Sequence, residues 1–358
     1  LHAHPELSMK EFKTASFIAE ILKDASIPFE DRIAETGIVA MIKGNSSNGK
    51  TIALRADMDA LPILEKNEVD YRSVNEGVMH ACGHDVHMSV VLGASLILSR
   101  MKERLNGNVK ILFQPSEENY PGGARLMIEE GALKNPTPAL ILGEHVFPEL
   151  EAGKVGFRPG SYMASTDEVY ITVKGRGGHA AIPDKNIDPV VVAAQIILAL
   201  QQISSREAKP VTPTVVSIGR VIADGRTNII PDEVKMEGII RTFDESWREV
   251  IKNRIRKISG SIAEAFGAEV VVEIHQGYPS LINDHEVTGR MKKYAVELLG
   301  AENVVDLEQR MTAEDFAYYL QQVPGCFYRL GVRNEDKGIT SNLHTPTFDV
   351  DEKSLKTG

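Results

Sequence analysis

Residues 165–276 read differently from the chain on either side of them, and this interruption restricts the possible folds more than any other feature. Val169-Tyr170-Ile171-Thr172-Val173 alternates like a half-buried strand. A helical run follows from about Asp188 to Ser205, then two extended runs, Thr214 to Ile222 and Val234 to Phe243. A second helical run covers about Ser246 to Phe266, and a last strand Glu269 to Ile274. The order is β-α-β-β-α-β, the ferredoxin-like arrangement, and about 110 residues suffice for such a domain.

Outside this block, strands alternate with helices. Glu6 to Ser26 carries a helical stripe at Phe12, Ala15, Ile18, Ala19 and Leu22. Strand-like runs follow at Gly37 to Ile42 and Thr51 to Arg55, then a helix from Asp85 to about Leu105. A strand (Val109 to Phe113), a helix (about Gly123 to Glu130) and a strand (Ala139 to Leu142) continue the pattern. After Gly277-Tyr278-Pro279 the same texture resumes, with a helix near Glu286 to Leu299. The expected fold is α/β: a mainly parallel-sheet domain of residues 1–164 and 277–358, with a ferredoxin-like α+β domain of residues 165–276 inserted in it. The total of 358 residues fits two domains at roughly 150 residues each.

Composition narrows the partners. Hydrophobic residues at 42% and charged residues at 25% describe an ordinary globular chain, which excludes disorder and coiled coil. The longest near-apolar stretch, Val190 to Leu200, is broken by Gln195 and falls short of the about 18 residues that span a bilayer, so no membrane partner is expected. A net charge of -10 repels phosphate backbones, so no nucleic acid is expected either. Two cysteines make no disulfide framework, and Cys326, in a strand-like run, reads as a small buried hydrophobe. A reducing compartment, the cytoplasm, is expected; the start at Leu1 leaves a removed leader open.

Three predicted strands run into polar residues that a core does not need. Thr51 to Arg55 leads to Asp57 and Asp59, Val109 to Gln114 leads to Glu117 and Glu118, and Ala139 to Gly143 leads to His145. Ligands of open α/β sheets bind beyond the carboxyl ends of strands, so these groups are expected to meet at one edge. The densest cluster is His80-Ala81-Cys82-Gly83-His84-Asp85-Val86-His87, just before the long helix. A lone histidine is more often a hydrogen-bonded core or surface residue than a ligand. Cys82 and His84, joined by acids and a histidine at other strand ends, reverse those odds. Gly83 permits unusual backbone angles between them, and the helix start favours the thiolate. Sulfur with imidazole selects zinc, and added carboxylates extend the choice to manganese, nickel or cobalt. The expectation is one or two such divalent ions. With Glu117 and Glu118 adjacent, one acid can hold the metal while the other takes a proton from its water, the chemistry of amide hydrolysis.

These motifs resemble the aminoacylase and carboxypeptidase family of zinc peptidases. The nearest branch is that of the amidohydrolases: hippurate hydrolases, auxin-conjugate amidohydrolases and N-acyl amino acid deacylases. The matching stretches include Leu1-His2-Ala3-His4-Pro5-Glu6-Leu7, Arg55-Ala56-Asp57-Met58-Asp59-Ala60-Leu61-Pro62 and Met79-His80-Ala81-Cys82-Gly83-His84-Asp85. Further along are Gln114-Pro115-Ser116-Glu117-Glu118, Gly143-Glu144-His145, Gly175-Arg176-Gly177-Gly178-His179-Ala180-Ala181 and Asn228-Ile229-Ile230-Pro231-Asp232. Arg241-Thr242-Phe243, Glu314-Asp315-Phe316 and Leu343-His344-Thr345-Pro346 complete a set that spans the chain in the family's order.

The resemblance implies a metal-dependent amidohydrolase that cleaves N-acyl amino acids to a carboxylate and an amino acid. A metallo-dipeptidase or carboxypeptidase of the same family is the alternative. A non-catalytic metal-binding protein, from another class, is expected to have lost Glu117 or a ligand, and this chain keeps them. By resemblance Cys82, His84, Glu118, His145 and His344 hold the metal, and Glu117 is the general base and then the acid. His179, on the inserted lid, donates to the oxyanion, and Asn228 and Arg241 bind substrate, Arg241 through its carboxylate. A homodimer through the inserted domain is implied, with His179 acting in its own subunit or its neighbour's. Peptidase relatives carry His then Asp where this chain has Asp57 and Asp59, so Asp57 is not expected to be a ligand. Asp59 either orients a metal-bound histidine or is a simple structural acid, and His87 is expected to stand behind the metal ligands rather than among them. His80 reads like His87. His2 and His4 read as structural, His275 and His285 as surface residues, and Glu314-Asp315 either lines the pocket or supplies charge to a helix start.

Overall fold

In the computed structural model, residues 1–46 and 49–358 are described, and the chain divides into two compact units. The first comprises Leu1–Tyr162, Ile282–Gln309 and Glu314–Gly358; the second comprises Met163–Leu281 with Arg310–Ala313.

The apolar runs of the first unit form β1 (Phe29–Ile33), β2 (Gly37–Ile42), β3 (Thr51–Asp57), β4 (Asn108–Gln114), β5 (Leu140–Glu151) and β6 (Val155–Phe157). With the later strands Val304–Asp306 and Gly325–Arg333 they make one eight-stranded sheet. Its order is β1-β2-β4-β3-β5, then Gly325–Arg333, β6 and Val304–Asp306. β4, β3, β5 and Gly325–Arg333 run parallel to one another, and antiparallel pairs flank them. Parallel neighbours need crossovers, which α2 (His84–Arg100) and α3 (Gly123–Glu129) supply; α1 (Phe12–Asp24) precedes the sheet. Ile18 and Leu22 of α1 and Met88, Val91 and Leu92 of α2 pack with Ile38, Ile111 and Phe113. Each such fully buried side chain contributes about 1.5–3 kcal/mol, enough to hold both helices on the sheet.

Three elements differ from the sequence expectation. α1 begins at Phe12 rather than Glu6, because Met9 adopts a left-handed φ of 62° and Glu11 turns inward to accept hydrogen bonds from Thr36 and Ser116. Phe12 itself is exposed and is not part of the buried stripe. α2 stops at Arg100, since the next residues through Arg104 are exposed and have no face to bury. β5 continues to Glu151, so His145 lies within a strand, beside Arg329 of Gly325–Arg333. The polar Glu144-His145 pair interrupts the apolar run and hides that continuation in the sequence.

In the second unit, strands Thr214–Ile222, Glu233–Thr242, Asp167–Lys174 and Glu269–Gln276 lie side by side in that order, each antiparallel to its neighbour. α4 (Pro189–Gln202) and α5 (Glu245–Ala265) supply Val192, Ile196, Leu200, Ile251 and Ile255 to a core with Val169, Ile171, Val173 and Met236. Asp188 and Asp244 cap the two helices by accepting from Val190 N–H and Trp247 N–H. This is the ferredoxin-like order. Its main buried ion pair joins Arg248 to both oxygens of Asp167 at 2.7 Å.

Candidate metal centre

β3 and β4 end on the same edge of the first sheet, and the loops that follow them carry the acids. Asp59 fixes both: its carboxylate accepts from Glu117 N–H and Glu118 N–H at 3.0 Å each, and from Ser8 Oγ at 2.6 Å. Behind the same loop, Glu11 accepts from Ser116 N–H. Gly83 sits in left-handed backbone at φ 82°, and a Cβ there would come within 2.4 Å of Val146. Only glycine therefore lets the chain turn between Cys82 and His84 against β5. His344 also adopts a left-handed φ, 60°, and is anchored by its N–H to Ala81 O at 2.8 Å.

The structure brings the five expected donors of the first unit together. Cys82 Sγ lies 3.4 Å from His145 Nε2 and 3.3 Å from His344 Nε2, and His344 Nε2 lies 3.2 Å from Glu118 Oε1. Candidate ligand atoms of Cys82, His84 and His145 all fall within 4.8 Å of one another, as do those of Cys82, Glu118 and His344. His84, Glu117 and Glu118 form a third such group. Donors held about 2.0–2.3 Å from a tetrahedral ion stand roughly 3.3–3.8 Å apart, so these spacings are close to those of one.

The imidazole tautomers suit an ion as well. His84 Nδ1 is 2.8 Å from the Asp59 carbonyl, which can only accept, so Nδ1 keeps a proton and Nε2 is the nitrogen left to an ion. That Nε2 is buried and has no hydrogen-bond partner among the described residues. His145 is arranged alike, with Nδ1 donating to Val146 O at 2.8 Å and Nε2 turned to Cys82. A backbone acceptor on one nitrogen and a free lone pair on the other is the usual dress of a metal-binding histidine.

Electrostatics set a competition between protons and a cation. Burial, then the charges of Glu118, Glu117 and Asp57, push the Cys82 thiol well up. Burial alone would lower His84, but Asp57 and Asp59 overcome it and raise the ring to about 10. Burial and then Glu314, Glu118 and Asp315 hold Glu117 well above the ordinary carboxyl range. A dication among these donors replaces the protons and offsets the mutual repulsion of the acids. His145 is driven the other way, by burial, Arg329 and His87, and stays neutral.

A buried network underneath was not foreseen. Arg55 is enclosed and binds Asp57 at 2.7 Å, Asp315 at 2.8 Å, Glu314 at 3.0 Å and Gln114 Oε1 at 2.8 Å. Asp315 also accepts from Gln114 Nε2 and Ala124 N–H, while Glu314 accepts from Phe316 N–H just before the short helix Ala317–Leu320, and both acids place ligand atoms within 4.8 Å of that of Glu117. The readable signal was an arginine inside an apolar strand, which must find anions if it is buried. His2 bridges Asp85 (2.7 Å) and Glu65 (3.2 Å), as a structural residue would. His80 is buried with neither ring nitrogen partnered among the described residues, and burial lowers it to about 4. His4, His275 and His285 are exposed.

The remaining expected residues lie in the second unit. His179 is exposed on the two-residue strand Gly178–His179, which pairs with Ile229–Ile230. Its Nδ1 accepts from Ala181 N–H at 3.1 Å, which leaves the proton on Nε2 as an available donor. Asn228 is exposed beside the same ladder, its carbonyl accepting from Ala180 N–H. Arg241 lies on Glu233–Thr242, and its Nη1 is buried without a partner among the described residues.

Residues 53–358 match the family model described as peptidase family M20/M25/M40. The chain belongs to that family. Thermostable carboxypeptidase 2 of Saccharolobus solfataricus is 40% identical to it, over 100% of this chain and 90% of its own. N-acetyl-L-cysteine deacetylase of Bacillus subtilis is 39% identical, over 99% of this chain and 83% of its own. The crystal structure of Bacillus subtilis YXEP, described as a dinuclear metal binding peptidase from the M20 family, superimposes with a TM-score of 0.85 at 36% identity. It covers 99% of this chain and 91% of its own. This M20 chain is thus a hydrolase of amide bonds, and divalent metal ions are its cofactor. Among the described residues no helix is long and apolar enough to cross a membrane.

Proposed function

We propose that the protein hydrolyses the amide bond of N-acyl amino acids, releasing a carboxylate and a free amino acid. The observation that carries this reading is the convergence of Cys82, His84, Glu118, His145 and His344 with Glu117 beside them. Those five residues would hold one or two ions, Cys82 belonging to both of the triads in which it occurs. A divalent transition ion such as zinc, manganese, nickel or cobalt supplies Lewis acidity toward the acyl oxygen and acidifies a water.

The chain's own groups do the rest. Glu117, once ionised, takes the proton of the attacking water and returns it to the leaving amine. Asp59 keeps Glu117 and Glu118 in register through their backbone N–H groups and holds His84 through its own carbonyl. His179 Nε2–H is the donor for the oxyanion, Asn228 assists, and Arg241 Nη1, lacking a partner, receives the substrate carboxylate. The inserted unit is also the proposed homodimer surface, since Val190, Val191 and Leu198 of α4 are exposed. Its partner there is a second copy of the chain, and His179 serves either its own subunit or that copy.

The carboxypeptidase relative makes peptides the competing substrate class. A release assay separates them: metal-stripped protein, reloaded with each ion in turn, is offered N-acetyl and N-benzoyl amino acids and dipeptides. Preferred turnover of N-acyl amino acids is expected. Turnover of dipeptides alone would replace the deacylase reading with the peptidase one.

A further inference from the structure

Asp57 and His87 sit among the metal donors, and with His84 they place buried ligand atoms within 4.8 Å of one another. Taken by distance, the three form another cation site. Their hydrogen bonds exclude it. Val146 N–H lies 3.0 Å from His87 Nε2, and a backbone N–H can only donate. Nε2 therefore keeps its lone pair for Val146, and the ring's proton is on Nδ1. Nδ1 in turn lies 2.6 Å from Asp57 Oδ1, while Asp57 Oδ2 accepts from Arg55 Nη1 at 2.7 Å. His87 has no lone pair left to offer an ion.

The same bonds show what the pair does instead. The ladder between β3 and β5 runs from Ile52–Leu140 to Arg55–Gly143. β3 ends at Asp57, and past Gly143 it is His87, not a strand, that takes the Val146 N–H. Asp57, the last residue of β3, thus extends the ladder through side chains to β5. The carbonyl of Val146 accepts from His145 Nδ1 at 2.8 Å. Val146 is consequently held by His87 at its N–H and itself holds the His145 ring at its C=O.

We propose that Arg55, Asp57 and His87 are positioning residues: a buried relay that fixes the Val146 backbone and so aims His145 Nε2 at the metal. The inference rests on the reading that His145 and Cys82 hold the ion. Arg55 anchors Asp57, Asp57 selects the Nδ1–H tautomer of His87, and His87 stands in for a missing strand. Outer partners of this kind typically alter metal affinity by about 10–100-fold when removed.

The test is calorimetric titration of metal-stripped protein with zinc, with unfolding of the same metal-free samples followed in parallel. Asparagine at position 87 reaches Asp57 but not Val146; glutamine extends an oxygen toward Val146. His87→Asn is expected to weaken zinc binding about 10–100-fold, and His87→Gln to recover most of the loss. Equal zinc affinity in His87→Asn and wild type, or equal weakening in both variants, would overturn the relay. Cys82→Ser is the control. If it loses zinc while His87→Asn keeps it, the relay alone fails; if Cys82→Ser keeps full affinity, the metal site itself has been misread. Should His87→Asn not fold, ¹⁵N-histidine NMR of the wild-type protein decides. A neutral His87 ring protonated at Nδ1 supports the relay, and one protonated at Nε2 refutes it.

Discussion

The two units bury charge in opposite ways. In the second unit the buried Asp167 is met by Arg248 and, at 3.6 Å, by Lys252, which also reach Glu245 and Glu249, and the core beside them is aliphatic. In the first, Glu117, Glu314 and Asp315 crowd together with candidate ligand atoms within 4.8 Å, and Arg55 bonds to Glu314 and Asp315 while also serving Asp57. Buried charges that each meet counterions stabilise their own fold geometry. A surplus of buried acid has the opposite sign, and persists only where something positive is meant to join it. The location of the surplus therefore marks the functional end of the molecule more sharply than any single residue does.

The comparison can be broken most directly by neutralising one buried acid in each unit. Glu117→Gln should lower turnover by about 10²–10⁴-fold, the share of a general base, with metal content unchanged. Because burial and the acids Glu314, Glu118 and Asp315 push the Glu117 carboxyl toward its protonated form in metal-free protein, the metal-free variant should unfold no earlier than wild type. Retained turnover, or a marked loss of metal-free stability, would remove Glu117 from its role. Asp167→Asn should behave in reverse. It removes the buried carboxylate of Arg248, which keeps only the partly exposed Glu245 as an anionic partner, at a cost of up to about 3–5 kcal/mol, read by denaturant unfolding. Ile196→Ala, in the aliphatic core of the same unit, gives the scale for that loss, about 2–5 kcal/mol. If Asp167→Asn costs far less than Ile196→Ala, the ion pair is incidental and the contrast between the units weakens.

Much of this was legible in one dimension because its determinants are local. Period-2 and period-3.6 patterns marked the ferredoxin-like block, and the spacing of Cys82, Gly83 and His84 marked the bend before α2. The convergence of His145 and His344 on Cys82 was reachable only through the family's motifs, since 63 and 262 residues separate them from it. The Arg55 network was missed for the same physical reason. Arg55 and Asp315 are 260 residues apart, and neither residue announces its partner. The continuation of β5 through His145 was hidden because its partner strand, Gly325–Arg333, decides it from the far end of the chain. Patterns read along the chain report what a residue prefers; buried polar networks depend on what the fold brings opposite it.

His2 offers the mildest and most selective test, because in the first unit it is a ring held directly by carboxylates, Asp85 and Glu65. Burial alone would depress its ring, but the hydrogen bond and charge of Asp85, joined by Glu65, raise it to about 9. A raised folded-state value contributes stability that is complete below the unfolded value near 6.5 and vanishes as pH climbs through 9. The contribution is at most on the order of 3 kcal/mol, and His2→Gln should abolish it. Glu144 and Asp315, both raised to about 8 chiefly by burial, titrate in the same window, so wild type alone cannot isolate His2. The difference in metal-free unfolding free energy between wild type and His2→Gln does. It should shrink steadily from pH 6.5 to pH 9.5. A difference that stays constant across that range would mean that His2 is neutral between its two acids, and that the buried acids there are not met by its charge.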